Sequence, residues 1–554
     1  MSPFWLVFWA AFLSLAWLLP PLFSPWFTFP ADAWMALMTL VGATAVVVWG
    51  RGNLVWHALP CLAAGLVMLP WLQWWCGLLP YFGQAWTSSI YLLGFLLALL
   101  VGARWELCSS KQLAHGLLLA AGAAAVLSVG LQMFAWLRLA DDGGLLTRNR
   151  PSANLGQPNQ LATLLLWGLL ACLWANLNKL LSAGSAIVVA SFLLLGIAMT
   201  QSRGAMLALC GLLVAIWVWK GLWPNRRLPL AATGLCVLYF ACAPFFQWLD
   251  SVLFPGDANI AFTFLKQGEQ RLSAWELFSH AVLERPFFGY GWTDTASVQL
   301  ALADRFPSLG SIFKSSHTLL LDLLLWCGIP LGAFIVIFLI RWFWLAARAV
   351  RHSEDAVLFL FLGVVAIHAL VEFPLLYGYF LIPVGLIMGV LNIRLGEPVI
   401  GVTPRWSFAV LVMAATIAVG ITVSDYVRVD KSYTNLRLEQ SILGQGREPM
   451  GEAPDVLVLT HLREWIRLAR YKPHASTSQR ELDELEVIAT AFPSPGLVYE
   501  LAKTFAMNDQ PGKAGAWQAK ICKLARKEQC RLAKESWERA QATDPRIAAV
   551  RWHD

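Results

Sequence analysis

The chain contains 554 residues, of which 58% are hydrophobic and only 14% are charged, and its formal net charge is +7 at pH 7. Apolar sequence on this scale exceeds what one soluble core requires, so the chain is predicted to be an integral membrane protein. The positive charge does not indicate a nucleic-acid partner, because the basic residues form no compact basic and aromatic face.

Runs of roughly 20 apolar residues, the length that crosses about 30 Å of hydrocarbon, recur from residue 4 to residue 424. The first run has neither a basic segment before it nor an evident cleavage site, so we expect a retained helix. Many of the 29 tryptophans lie near the ends of these runs, as is typical of interfacial aromatic belts. The predicted fold is an all-α polytopic membrane helical bundle of about thirteen spans, at 4–23, 33–50, 54–76, 86–103, 113–137, 159–177, 183–200, 205–220, 228–248, 318–340, 356–373, 376–393 and 405–424.

The orientation of the bundle follows from the basic residues, since short cytoplasmic loops accumulate Lys and Arg. The outer connections at 24–32, 77–85 and 374–375 contain neither residue. With an odd number of spans, the N-terminus is predicted to lie inside and the C-terminal tail outside. Every predicted inner loop is basic, and together these loops contain Arg51, Arg104, Lys111, Lys179, Lys220, Arg226, Arg227, Arg341, Arg348, Arg351, Arg394 and Arg405.

Four arginines break this trend and face outward: Arg148, Arg150, Arg203 and Arg271. Arg203 stands in a connection of only a few residues, where an arginine at membrane depth costs several kcal/mol unless it is paired or hydrated. The outward arginines therefore predict an anion held at the outer face. The alternative is that they reach the interface or pair with a carboxylate such as Glu269.

The composition changes at Asp425, after which charges are dense and apolar residues recur at spacings of three and four. We expect two domains: a transmembrane catalytic domain at 1–424, including a large outer loop at 249–317, and an external helical domain at 425–554. The segment "GLVYELAKTFAMNDQPGKAGAW" resembles one tetratricopeptide-like hairpin. Such a domain binds an extended partner or, alternatively, only stabilises the membrane part.

Of the ten cysteines, only Cys522 and Cys530 lie in the tail. Eight residues along one straight helix span roughly 12 Å, which is too far for a disulfide bond. A bond would require a turn near Lys527, so both states stay open. The other cysteines lie in or beside apolar spans and are expected to be small buried hydrophobic residues.

The remaining polar residues of interest lie on one predicted face of the membrane. They are His317 in "FKSSHTLLLDLL" and the groups Gln157, Asn159, Gln160, Glu372, Tyr377 and Tyr379. A histidine can act as a base toward a hydroxyl group, and arginine binds phosphate oxygens bidentately, so the set suits transfer from a phosphate leaving group. The chain has no HExxH motif, P-loop or GxGxxG, so we expect neither a metal nor ATP to be required.

Each of these polar residues also has a purely structural interpretation. His317 would cap the following helix, and "GQPNQ" would begin a helix with Pro158 in its first turn. "VEFPLLYGYF" would be a helical hairpin broken by proline, with both tyrosines in an aromatic belt.

Five motifs resemble the bacterial O-antigen ligase and polymerase superfamily, and specifically its PglL-type O-oligosaccharyltransferases. They are "RPSANLGQPNQLATLL" at 150–165, "TQSRGA" at 200–205, "RLSAW" at 271–275, "RPFFGYGW" at 285–292 and "SSHTLLLDLLLWCGIPLG" at 315–332. The resemblance covers about residues 145–395, and the external helical tail also resembles this branch. Many relatives have asparagine after the histidine, whereas this chain has Thr318.

The resemblance implies an enzyme of the bacterial inner membrane whose active site faces the periplasm. Its donor would be an oligosaccharide on undecaprenyl pyrophosphate, and its acceptor a serine or threonine of an exported protein such as a pilin. His317 would deprotonate or orient the acceptor hydroxyl, and Arg203 and Arg271 would hold the pyrophosphate. Gln157, Gln160, Tyr377 and Arg150 would line the donor or acceptor groove. The glycosyl pyrophosphate already carries the free energy for transfer, so no cofactor is implied.

Two other functions fit part of the pattern. Within the same chemistry, the enzyme would ligate O-antigen to lipid A core or polymerise repeat units. In a different class, a flippase would guide an anionic lipid across the bilayer. A transporter is expected to place polar residues near the midplane of several spans, whereas here they cluster at one face.

Overall fold

The computed structural model describes residues 3–22, 25–137, 139, 150–253, 263–441 and 452–553, and these are predominantly helical. Arg148 lies outside the described residues, as does the side chain of Glu269. The helices up to the large loop are α1 (Pro3–Ser14), α2 (Phe29–Trp49), α3 (Ala58–Trp75), α4 (Phe82–Cys108), α5 (Gln112–Trp136), α6 (Pro158–Leu177), α7 (Ala183–Thr200), α8 (Arg203–Val218) and α9 (Leu228–Leu253).

The large loop and the last membrane segments follow as α10 (Thr263–Glu284), α11 (Thr295–Ala301), α12 (Leu319–Ala349), α13 (Ser353–Ala369), α14 (Gly378–Arg394) and α15 (Arg405–Gln440). The tail contains α16 (Thr460–Arg470), α17 (Gln479–Ala491), α18 (Pro495–Met507), α19 (Pro511–Leu524), α20 (Lys527–Gln541) and α21 (Pro545–Ala548). Short 3-10 turns lie at Leu15–Trp17, Ala153–Leu155 and Pro374–Leu376. Within the described ranges the strands are β1 (Leu54–Trp56) and β2 (Gly401–Thr403), paired antiparallel with Val55 opposite Val402.

Each predicted apolar run overlaps a helix, although the run at 54–76 begins in β1 and the run at 4–23 extends past α1 and the 3-10 turn that follows it. Nine helices among the described residues are long and apolar enough to cross a bilayer: α2, α3, α4, α5, α6, α7, α9, α12 and α15. The other four predicted spans coincide with the shorter α1, α8, α13 and α14. The all-α, multi-pass membrane fold is thus confirmed, while the number of spans stays a prediction.

The chain forms two compact units. Unit 1 contains Met1–Leu66, Ile90–Thr263 and Leu339–Val419, and unit 2 contains Val67–Ser89, Phe264–Phe338 and Gly420–Asp554. The change of composition at Asp425 does not end a helix, because α15 continues to Gln440. A helix of 36 residues is about 54 Å long, so it exceeds the hydrocarbon thickness and accommodates both the apolar and the charged sequence.

Unit 1 is organised around α6, which packs against α5, α7, α8 and α13. Its Trp167 is fully buried, stacks on Phe361 with ring centroids 3.9 Å apart, and donates from Nε1 to the Phe361 carbonyl. Close approach between α4 and α14 depends on glycine, because a Cβ at Gly102 would lie 2.1 Å from the Leu386 carbonyl oxygen. Small residues at such crossings let membrane helices pack backbone to backbone.

The basic residues of two predicted inner loops lie together with carboxylates in unit 1. Arg394 donates to Glu106 at 2.9 Å and to Asp355 at 3.2 Å, and Lys111 pairs with Glu354 at 2.9 Å. Arg394 and Lys111, which the charge pattern assigns to the same side of the membrane, therefore bind the same group of carboxylates.

The core of unit 2 joins the tail to the large loop. Leu300 of α11 belongs to the same buried cluster as Leu482, Leu485 and Phe505 of the tail helices. The Ser308 hydroxyl donates to the Cys522 and Lys523 carbonyls at the end of α19.

The two tail cysteines form a disulfide bond. Cys522 and Cys530 lie 4.9 Å apart at Cα, because the chain turns between the end of α19 and the start of α20. The turn that a bond would require is therefore present, which resolves the two states that the spacing left open.

Candidate functional site

The start of α6 explains the motif "GQPNQ". Gln157 is extended, with φ −137° and ψ 122°, as expected of a residue that precedes proline. Pro158 occupies the first helical position, where a missing N–H has no cost. The Gln157 side chain makes no capping hydrogen bond, but its carbonyl accepts from the Gln160 and Leu161 amides at 3.1 Å. This start places Asn159 and Gln160 in the first turn of α6.

Asn159 connects an arginine to a glutamate. Its Nδ2 donates to Glu372 Oε1 at 2.9 Å, and its Oδ1 accepts from Arg150 Nη2 at 3.4 Å. Arg150 also donates from Nε to the Thr200 carbonyl at 3.0 Å, at the C-terminal end of α7. A cation at this end of a helix satisfies carbonyls that have no intrahelical partner. The polar residues of three separate connections are therefore bonded to one another.

Gln160 and Tyr379 form a second pair beside the first. Tyr379 is 1% exposed and donates from its hydroxyl to Gln160 Oε1 at 2.5 Å. Tyr377 stacks on Tyr379 with ring centroids 5.5 Å apart. Because Tyr379 is buried, it does not belong to a lipid-facing aromatic belt. The predicted helix break at the proline is present, since a 3-10 turn at Pro374–Leu376 separates α13 from α14. We call Arg150, Asn159, Gln160, Glu372 and Tyr379 the junction cluster.

Sequence reasoning missed Asp32, a buried carboxylate that holds the same tyrosine turn. Asp32 accepts from the Gly378 amide at 2.7 Å, from the Tyr91 hydroxyl at 2.7 Å and from the Thr28 hydroxyl at 2.6 Å. The available signal was a single aspartate in the apolar run "FPADAWM". A buried carboxylate requires partners of this kind.

The junction "TQSRGAM" places Arg203 at the first position of α8. Gln201 is left-handed, with φ 52°, and the Ser202 hydroxyl caps the helix by accepting from the Ala205 amide at 3.2 Å. The Arg203 side chain is exposed at this N-terminus. A helix N-terminus carries partial positive charge, so the arginine and the helix favour an anion at the same place.

His317 lies in unit 2, in a segment at 313–322 that we call the histidine segment. Its φ is 63°, a left-handed conformation that non-glycine residues adopt only when their surroundings hold them there. Its amide donates to the Ser315 hydroxyl at 3.0 Å. The Phe313 ring lies edge-on to the imidazole, with centroids 5.1 Å apart.

Asp322 anchors this backbone and was also missed from sequence. Its carboxylate accepts from the Ser315 hydroxyl and, at 2.7 Å, from the Ser316 amide. Asp322 is 1% exposed, and both serines are fully buried. The backbone carbonyl of Thr318 accepts from the Ser316 hydroxyl at 3.1 Å. The motif "SSHTLLLD" thus contains the parts that fix the His317 backbone.

Arg271 lies on α10, one turn before Trp275. Trp275 donates from Nε1 to the Ser316 carbonyl at 2.9 Å. Residues four apart on a helix share a face, so "RLSAW" brings Arg271 and the histidine segment to one side of α10. Arg271 is half-buried.

The predicted site residues therefore form two sets. Arg271 and His317 belong to unit 2, and the other predicted residues belong to unit 1. The convergence of both sets in one cavity stays a prediction. Within the described ranges, no group of three or more His, Cys, Asp or Glu residues is arranged to hold a metal ion.

Comparison with known families identifies three matching regions. A family described as O-antigen ligase matches residues 186–336, which include Arg203, Arg271 and His317. A family described as protein glycosylation ligase matches residues 151–174, which include the start of α6. A family described as virulence factor membrane-bound polymerase, C-terminal, matches residues 356–540.

Two curated relatives come from Acinetobacter baylyi. A general O-oligosaccharyltransferase is 29% identical over 542 residues, covering 94% of this chain and 92% of the relative. A ComP-specific O-oligosaccharyltransferase is 33% identical over 247 residues, which is 44% of each chain. The family matches fall on the motifs that build both sets of site residues, and the first relative spans nearly the whole length. These matches together support a PglL-type member of the O-antigen ligase and polymerase superfamily.

Proposed function

We propose that this protein catalyses O-linked protein glycosylation, moving an oligosaccharide from a lipid-linked donor to a hydroxyl group of an acceptor protein. The near full-length similarity to a general O-oligosaccharyltransferase supports this function. So does the match of residues 151–174 to protein glycosylation ligases.

The observation that carries the proposal is the construction of the histidine segment. Two buried serines and Asp322 hold the His317 backbone in a left-handed conformation, while the His317 side chain stays half-exposed. A backbone held in this way presents a side chain in a fixed direction. His317 therefore acts as the base that deprotonates or orients the acceptor hydroxyl, and Asp322 acts as its positioning residue.

The donor is an oligosaccharide on undecaprenyl pyrophosphate, and two arginines bind its phosphates. Arg203 contributes a guanidinium at the N-terminus of α8, and Arg271 contributes one from the helix that contacts the histidine segment. Both side chains stay charged throughout and stabilise the negative charge that develops on the departing pyrophosphate. The reaction breaks the bond from the anomeric carbon to the phosphate oxygen and forms one to the acceptor oxygen.

The unit 1 residues shape the donor or acceptor groove. Asn159 and Glu372 set the start of α6 relative to the break between α13 and α14. Gln160, Tyr377 and Tyr379 line that junction, with Gln157 at the first turn. The acceptor is a serine or threonine of an exported protein such as a pilin. The site faces the periplasm from the bacterial inner membrane.

A direct in-line displacement inverts the anomeric configuration of the transferred sugar. NMR of the glycopeptide product is expected to show the inverted linkage. A retained configuration would instead require a covalent glycosyl intermediate, and the single-displacement role of His317 would then be wrong.

The protein-transfer activity is tested with purified enzyme, undecaprenyl-pyrophosphate oligosaccharide and a serine-containing pilin peptide. Mass spectrometry is expected to find the intact oligosaccharide on the peptide. A parallel reaction with lipid A core tests the O-antigen ligase alternative, which the match at 186–336 favours. Transfer to lipid A core alone would assign the chain to that alternative. Donor movement across vesicles without any transfer would indicate a flippase.

A further inference from the structure

The motif "RPFFGYGW" forms a turn that packs against a kink in α12. Gly328 of α12 has non-helical backbone angles, φ 77° and ψ 169°, and Pro330 follows it. In a regular helix the Leu325 carbonyl would accept from the Ile329 amide, but the kink breaks this bond. The Trp326 carbonyl has no helical donor either, because residue 330 is a proline and has no N–H. Both carbonyls therefore need other donors.

The turn at 286–291 supplies those donors. Tyr290 N donates to the Leu325 carbonyl at 2.9 Å, and Gly291 N donates to the Trp326 carbonyl at 3.2 Å. In return, Ile329 N donates to the Pro286 carbonyl at 2.6 Å. Gly289 is required here, because its φ is 68° and a Cβ would lie 2.5 Å from the Leu325 carbonyl oxygen.

Contacts with the end of α3 place the turn at a membrane–water interface, which the predicted orientation assigns to the outer side. Gln73, two residues before the end of α3, donates to the Trp326 carbonyl at 2.9 Å and accepts from Trp292 N at 2.8 Å. Trp75, the last residue of α3, is 86% exposed. Tryptophans at the end of a spanning helix mark the level of the lipid headgroups. The turn lies at the same level as this aromatic belt.

The tip of the turn exposes two phenylalanines in succession. Phe287 is 70% exposed and Phe288 is 76% exposed, and the nearby Leu283, in the last turn of α10, is 70% exposed. Arg285 flanks this tip, with its guanidinium 4.6 Å from the centre of the Tyr290 ring. Contiguous apolar exposure on a turn marks an interaction site, and the level of this turn selects lipid as the partner.

We propose that the turn at 286–289 is a membrane anchor that inserts Phe287 and Phe288 among the phospholipid acyl chains of the outer leaflet. The anchor holds the large loop at the bilayer surface through the backbone bonds to α12. It requires that the protein spans a membrane in the predicted orientation, and it is independent of the proposed glycosyl transfer.

The anchor is tested by photo-crosslinking of the full chain in vesicles of phosphatidylethanolamine and phosphatidylglycerol, without polyprenyl lipids. Benzoylphenylalanine replaces Phe287 or Phe288, and mass spectrometry identifies the adducts. The matched control is the same substitution at Leu532, which is 47% exposed on the charged helix α20. We expect at least about tenfold more phospholipid adduct at 287 and 288 than at 532.

Equal adduct yields at all three positions would overturn the anchor. So would adducts that form only after polyprenyl phosphate is added, or adducts mainly to a second protein chain. A second measurement uses Phe287→Asp/Phe288→Asp with benzoylphenylalanine at Leu283. Charge at the tip is expected to lower the lipid adduct at Leu283 about tenfold. An unchanged adduct at Leu283 would show that the tip does not hold the loop at the lipid.

Discussion

The junction cluster and the histidine segment use polar residues in opposite ways. In the junction cluster, side chains bond to one another, and Gln160, Glu372 and Tyr379 are each at most 4% exposed. In the histidine segment, Asp322 and Ser315 bond to each other and also to the amides of Ser316 and His317, and the His317 they hold is only half-buried. The first arrangement fixes how helices meet, and the second presents one side chain. Substitutions in the two regions should therefore fail in different assays.

The largest expected effect is loss of transfer in His317→Ala. A positioned general base typically contributes about 10²–10⁴-fold, so transfer to the peptide should fall by about that factor. The half-buried side chain packs edge-on against Phe313, and an edge-on ring contact is weak, so thermal unfolding should change far less than the rate of transfer. Initial rates with saturating donor and acceptor measure the change. Transfer at the wild-type rate in this variant would show that His317 is not the base. The two regions would then not differ in their effect on transfer.

Asp322→Asn tests whether the histidine segment positions its histidine. Asparagine can still accept from the Ser316 amide, but its Nδ2 cannot accept from the Ser315 hydroxyl. We expect kcat to fall about tenfold to a hundredfold, with the KM for the donor nearly unchanged, because misplacement affects the reacting geometry. Asp322→Glu is the comparison that keeps the charge. A rise in KM without a fall in kcat would indicate that Asp322 serves binding instead.

Arg203→Lys and Arg150→Lys form a matched pair at one helix junction. Lysine keeps the positive charge but loses the bidentate fork, so Arg203→Lys should lower transfer about tenfold. Arg150 bonds the Thr200 carbonyl and Asn159, so Arg150→Lys should mainly lower stability, by about 1 kcal/mol. Rates and thermal unfolding are measured for both variants. Equal losses of activity would mean that Arg150 also acts on a substrate, consistent with its implied place in the donor or acceptor groove.

The sequence predicts the helices well because hydrophobic length is a local property. Each apolar run overlaps a helix, and most of the polar residues that were singled out lie in connections or at helix starts. The partners of these residues were not predictable, because Asn159 meets Glu372 across 213 positions of sequence. Asp32 and Asp322 were missed for a related reason. A lone carboxylate in an apolar run shows that a partner is needed, but not which residue supplies it.

Asn159→Asp is expected to damage the junction cluster and not the chemistry. The new carboxylate would stand next to Glu372, where the amide now donates at 2.9 Å, so like charges would meet in a poorly hydrated place. The unfolding free energy should fall by about 1–3 kcal/mol. Gln157→Glu is the control, because Gln157 makes no capping bond in the same turn. Equal destabilisation by both variants would show that any added charge here is harmful, without a specific role for Asn159.

A second histidine of unit 2 sharpens the contrast with His317. His461 is 7% exposed, and burial lowers its pKa to about 3. In the unfolded chain the His461 imidazole binds a proton as the pH falls through about 6.5, whereas in the folded chain it stays neutral. The unfolding free energy therefore has its full value above that pH and decreases as the pH falls toward 3. The steepest loss is about 1.4 kcal/mol per pH unit. Thermal unfolding of His461→Asn between pH 4.5 and 7.5 should therefore vary less with pH than that of the wild type.

His474→Gln, at an exposed histidine, should follow the wild type. If His461→Asn retained the full pH dependence, the buried histidine would not be its source, and the acid sensitivity of unit 2 would have to come from its carboxylates.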